Sequence, residues 1–162
     1  MKTCLVPGAF DPVTFGHVDI MERAAALFDS VVVAILRNSA KEGWLTWDER
    51  IHLLSAVITQ SKAANRVRVI KYEGSLVDCA RDVRADAIIR GLRSVSDFEY
   101  EVPWAMINRS TANVETLFFM SPPELTPVSS SAARELAAYG EPLDLLVPAG
   151  AIEILRRTGR IK

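Results

Sequence analysis

The sequence predicts an α/β protein, a single domain (residues 1–162) built on a five-stranded parallel sheet that is doubly wound, with helices on both faces. Three observations predict it. Short apolar runs alternate with helical patterns from end to end of the 162 residues. The runs at residues 31–36 and 87–89 lack polar alternation, as strands covered on both faces do. No linker, repeat or low-complexity tract divides the chain, whose length suits one well-filled core. Right-handed βαβ units in such an open, Rossmann-like sheet place ligands beyond the C-terminal ends of the strands.

The first strand covers residues 3–6. Pro7-Gly8-Ala9-Phe10-Asp11-Pro12-Val13-Thr14-Phe15-Gly16-His17 then reads as a Gly/Pro-shaped loop feeding a helix whose first turn carries a histidine. Val18, Met21, Ala25 and Phe28 share one face of that helix. After the strand at 31–36, Thr46-Trp47-Asp48-Glu49 has the spacing of a capping box, and Ile51, Leu54 and Ile58 form the stripe of the helix it starts. Strands follow at 67–70, 87–89 and 116–120. Ser96-Asp97-Phe98-Glu99 repeats the capping-box spacing, so a helix is expected from Ser96, kinked or broken where Pro103 removes a backbone bond. Ser129-Ser130-Ser131 opens a further helix that Gly140 and Pro142 stop, and residues 148–157 make a closing helix.

Composition excludes several classes. The longest apolar run, 31–36, is far too short for a membrane span, and Pro7, Gly8 and Asp11 stand where a signal peptide needs an apolar stretch, so a cytoplasmic protein without a membrane partner is expected. Cys4 and Cys79 support neither a disulfide framework nor a zinc site and read as buried thiols. A net charge of −1 argues against nucleic acid as a partner.

Four segments hold polar residues where chemistry is expected. A strand ending in a loop that feeds a helix N-terminus gathers unpaired N–H groups and the positive end of the helix dipole, which suits phosphate. In Thr14-x-Gly16-His17, threonine can cap the helix, glycine allows close backbone approach, and a neutral His17 can donate to a phosphoryl oxygen; a histidine that only caps its own helix is the alternative. Arg90-Gly91-Leu92-Arg93 follows the fourth strand directly, and its two guanidinium groups can turn on one polyanion or make ordinary salt bridges. Glu99 and Glu101 can hold ribose or orient an arginine. The serines at 129–131 offer a second anion site, though capping needs only one of them, and Lys41 lies in the polar loop after residues 31–36.

Taken together, these motifs resemble a known family. Pro7-Gly8-x-Phe10-Asp11-Pro12 with Thr14-x-Gly16-His17 resembles the first motif of the nucleotidyltransferases related to class I aminoacyl-tRNA synthetases. Arg90-Gly91-Leu92-Arg93, Asp97-Phe98-Glu99-Tyr100-Glu101 and the three serines are similar to the bacterial phosphopantetheine adenylyltransferases. The resemblance implies transfer of AMP from ATP to 4′-phosphopantetheine by direct in-line attack, giving dephospho-coenzyme A and pyrophosphate, with Mg²⁺ as cofactor and no dedicated metal ligands in the chain. It implies that His17 stabilises the transition state and contacts ATP; that Ala9, Phe10, Gly91, Leu92, Arg93, Glu101, Leu125, Thr126, Pro127, Val128, Ser129, Ser130 and Ser131 bind ATP; and that Ala9, Lys41, Leu76 and Arg90 meet 4′-phosphopantetheine. A homohexamer and feedback inhibition by coenzyme A are implied in the same way. The chain departs from the pattern at Ala9, where the family has Thr or Ser, at Pro103-Trp104 inside a helix, and at Leu125-Thr126-Pro127, where a more aromatic stretch is usual. Another adenylyl- or cytidylyltransferase of the superfamily, or a nucleotide sensor without turnover, are the alternatives.

Overall fold

A computed structural model describes residues 1–36 and 43–162. Five parallel strands form one sheet in the order β3-β2-β1-β4-β5: β1 is Thr3–Gly8, β2 Ser30–Leu36, β3 Val67–Tyr72, β4 Ala87–Leu92 and β5 Glu115–Met120. The helices between and after them are α1 (Phe15–Leu27), α2 (Trp47–Gln60), α3 (Leu76–Asp82), α4 (Val95–Ala112), α5 (Ser130–Ala138) and α6 (Ala149–Arg157). From β1 the chain winds outward through β2 to β3, then returns to the other side of β1 as β4. That reversal makes the C-terminal ends of β1 and β4 the switch point of the sheet.

Both faces of the sheet are covered, which explains the uninterrupted apolar runs. Cys4, Val6, Val31, Val33, Ile35 and Ile89 point into one core with Met21 and Ala24 of α1 and Leu54 of α2. Leu5, Val32, Ala34 and Ile88, the alternate positions, point into a second core with Cys79 and Ala80 of α3. Both thiols are buried as expected, and desolvation pushes Cys4 up to about 12 and Cys79 to about 11.

Three local expectations are corrected. The strands outrun their apolar cores: Pro7 and Gly8 complete β1, and Arg90, Gly91 and Leu92 lie within β4 rather than after it. Pairing with a neighbour carries them on, since Pro7 and Gly8 lie in register with Ala34 and Ile35, and Arg90 with Phe118. The cap of α4 is Ser94, which accepts from the Asp97 N–H at 3.2 Å, and not Ser96. Finally, α4 runs without a break through Pro103. Pro103 and Glu99, whose carbonyl loses its donor, are both exposed, so water can take the place of the missing bond. The expected capping box at Thr46 is present, with the Thr46 N–H donating to Glu49 at 2.7 Å.

Candidate active site

The loop after β1 sets the histidine. Phe10 adopts a left-handed φ of 48° and is 2% exposed, its ring folded under Gly8, where a Cβ would come within 2.9 Å of it. The same ring meets the edge of His17, with centroids 4.9 Å apart. The Thr14 N–H donates to His17 Nδ1 at 3.0 Å. A backbone N–H can only donate, so Nδ1 is the acceptor and the neutral ring carries its proton on Nε2. Desolvation, with the positive charges of Arg93 and then Arg90, pulls the His17 pKa down to about 4. At neutral pH the side chain is therefore a neutral Nε2–H donor facing the cleft. Its two sequence readings coincide, because capping the helix through Nδ1 is what fixes the other nitrogen.

Two arginines face His17 from β4 and its end. Arg90 forms a forked ion pair with Glu101, Nε to Oε2 at 2.9 Å and Nη2 to Oε1, and its Nη1 donates to the Pro7 carbonyl at 3.0 Å. Arg93 donates from its backbone N–H and its Nε to Asp97, at 2.9 and 3.2 Å. Burial alone would raise Asp97, but these bonds hold it below the ordinary aspartate value. Glu101 thus orients an arginine, one of the two roles its position allowed. Between the arginines, Gly91 leaves room for Ile20 of α1, whose Cδ1 would have to shift from a Cβ 2.3 Å away.

The third wall is the start of α5. Ser129 caps the helix, accepting from the Ala132 N–H at 3.1 Å; Ser130 donates to the Pro12 carbonyl at 2.8 Å, and Ser131 accepts from Arg134 at 3.1 Å. The N-termini of α1 and α5 therefore converge on a cleft of about 380 Å³ at the switch point. Of the residues singled out in the sequence, Ala9, Phe10, His17, Arg90, Gly91, Arg93, Glu101, Val128, Ser129, Ser130 and Ser131 line it. Leu92 is buried beside it, its carbonyl accepting from the Ser121 N–H at 2.8 Å. Leu125 packs against the core, Thr126 and Pro127 are exposed next to it, and Leu76 opens α3 on the second core. Lys41 lies outside the described residues.

Sequence reasoning missed the supports. Asp11 is 7% and Arg50 8% exposed, paired at 3.3 Å, and the Asp11 carboxylate also accepts from the N–H groups of Trp44 and Leu45, each at 2.8 Å. Arg134 donates to the Asp11 carbonyl at 2.6 Å. Arg50 left a legible signal: it lies three and four positions before Leu53 and Leu54, a charge on the apolar stripe of α2. Asp11 and Arg134 left none, because their partners are distant in the chain.

The described residues lining the cleft offer no free set of metal ligands. Among the described residues no three His, Cys, Asp or Glu gather, and the two carboxylates lining the cleft, Asp97 and Glu101, each already hold an arginine.

The geometry agrees with comparisons to known proteins. The model of the cytidylyltransferase-like family matches residues 5–136. A phosphopantetheine adenylyltransferase of Clostridium perfringens is 42% identical over 96% of this chain and 93% of its own. That of Geobacter sulfurreducens is 44% identical over the same shares. Among solved structures, a putative nicotinate-nucleotide adenylyltransferase of Vibrio parahaemolyticus superposes with a TM-score of 0.74 over 99% of this chain and 95% of that one, at 16% identity, which speaks to the fold alone. With the three motifs meeting at one switch-point cleft, the chain belongs to the cytidylyltransferase-like nucleotidyltransferases and, within them, to the phosphopantetheine adenylyltransferase family.

Proposed function

We propose that the protein transfers AMP from ATP to 4′-phosphopantetheine. An oxygen of the pantetheine phosphate attacks the α-phosphorus, the bond from that phosphorus to the bridging oxygen breaks, and dephospho-coenzyme A and pyrophosphate leave. The observation that carries this reading is the single cleft collecting a neutral Nε2–H donor, two carboxylate-oriented arginines and two helix N-termini. Each supplies fixed positive potential where a pentavalent phosphorus gathers negative charge, and positioning plus charge stabilisation is what phosphoryl-type transfer needs. His17 serves as donor to the α-phosphate; Arg93, Gly91, Leu92, Glu101 and the stretch from Leu125 to Ser131 serve the nucleotide; Arg90, Leu76 and Lys41 serve the pantetheine phosphate and arm.

The same reading includes a cytoplasmic homohexamer inhibited by coenzyme A. Self-association is supported by exposed apolar side chains on α4 and β5: Val95 at 73%, Met106 at 69% and Met120 at 59%, with Phe98, Trp104, Ile107 and Leu117 beside them. Coenzyme A carries the product with one further phosphate and so competes for the same cleft. The deciding experiment is a pyrophosphate-release assay with ATP or CTP against a panel of phosphorylated acceptors. Release that needs both ATP and 4′-phosphopantetheine supports the reading. Preference for a mononucleotide acceptor, or tight ATP binding without product, overturns it.

A further inference from the structure

Ala9 has no hydroxyl to offer, so the peptide that follows it matters more. Its carbonyl is taken by Arg50 Nη1 at 3.3 Å, while Arg50 Nε donates to the Leu45 carbonyl at 2.9 Å and Nη2 to Asp11 at 3.3 Å. One guanidinium thus ties the loop after β1 to the start of α2, buried below the cleft. The only cis peptide among the described residues is Asp11–Pro12, so the Ala9–Phe10 peptide is trans and planar, and its N–H points opposite to its carbonyl. Ala9 and Phe10 both line the cleft, and with the carbonyl held by Arg50, the Phe10 N–H points away from that guanidinium. No group among the described residues accepts from it. The guanidinium fills the space over Gly43, where a Cβ would lie 1.5 Å from Nη2, so any side chain there must displace it.

We propose that Arg50 is a positioning residue: by holding the Ala9 carbonyl it fixes the Phe10 N–H as a donor to a phosphate oxygen in the cleft. This rests on the adenylyl-transfer reading for its catalytic consequence, but the aim of the N–H toward an anion does not. Donors that need no reorganisation contribute most where charge develops, so the loss is expected in kcat rather than in KM.

The test uses two variants of the full chain. Arg50→Lys keeps a cation beside Asp11 but cannot span both carbonyls; Gly43→Ala leaves Arg50 chemically intact and forces its guanidinium to move. Kinetics with ATP and 4′-phosphopantetheine are measured per folded molecule, with thermal melts alongside. Selective ¹⁵N-phenylalanine labelling reports six amides, Phe10 assigned by Phe10→Leu, and inorganic pyrophosphate is the probe. The expected result is a kcat lower by about 10- to 100-fold in both variants with KM little changed, and a Phe10 amide that shifts with pyrophosphate in the wild type and in neither variant. Unchanged kcat per folded molecule, an unresponsive Phe10 amide in the wild type, or the same response in the variants overturns the proposal. If the wild type makes no dephospho-coenzyme A, the adenylyl-transfer reading falls, and the Phe10 response alone decides the role of Arg50.

Discussion

His17 shows how one residue acquires a function from its surroundings. Its Nδ1 is spent on the Thr14 N–H, and burial beside Arg93 and Arg90 keeps it neutral down to about pH 4. Replacing it with alanine should lower kcat by roughly 10²-fold or more, read as pyrophosphate release, because one fixed donor at the developing charge is lost. Activity should show no histidine titration between about pH 5.5 and 8, unlike that of a residue at the ordinary value. The stability effect has a definite sign: with its folded pKa lowered from 6.5 to about 4, His17 costs the folded state protons below 6.5. Its contribution is present above 6.5 and lost as pH falls toward 4, so melting in that window should be less pH-dependent in His17→Gln. The motif Thr14-x-Gly16-His17 was legible because cap and donor are local in sequence. Arg50 showed only as a charge on the apolar stripe of α2 and Arg134 not at all, because the carbonyls they hold belong to the distant opening loop.

At the scale of elements, the helix ends govern the site. Glu49 closes the capping box of α2 and also receives Arg160 from the C-terminal tail, Nε to Oε1 at 2.9 Å and Nη2 to Oε2 at 2.7 Å. The bond to Arg160 leads the causes that bring Glu49 down to about 2, so this stabilisation is present above pH 4.5 and lost as pH falls through 2. Glu49→Gln should lower stability by about 1 kcal/mol at neutral pH, a value kept small by partial solvent exposure, and the difference from wild type should shrink in melts as pH falls from 4.5 and vanish below 2. In α4, Pro103→Ala restores the bond to the Glu99 carbonyl and should raise stability by about 1 kcal/mol or more in denaturant titration. Of the kink or break expected at Pro103, the break did not appear, because Pro103 and Glu99 lie on a wet face of the helix, a fact of tertiary placement. The cap moved from Ser96 to Ser94 for a comparable reason: both serines have acidic residues three positions on, and only the end of β4 at Leu92 decides between them.

For the whole molecule, the proposed homohexamer, to which the exposed apolar side chains of α4 and β5 lend support, sets the prediction. Light scattering should give a mass of about six times 17.9 kDa, and Trp104→Glu or Met106→Glu should shift it toward smaller species. The sequence by itself determined the fold class, since runs buried on both faces and regular strand–helix alternation admit little else. Phosphate chemistry was legible too, since the strand-end loop, the Arg-Gly-Leu-Arg run and the serine cap each lie within a few residues, and the reaction class came as what the family resemblance implied. Tertiary structure alone decided which distant groups meet: that Glu101 holds Arg90, that Arg50 holds the Ala9 carbonyl, and that Leu76 packs on the other core. The physical reason is range. Backbone propensity, capping and apolar period act over a few residues and are written in order along the chain. These ion pairs and carbonyl contacts instead join residues 11 to 123 positions apart only after the sheet has brought β1, β4 and α5 together.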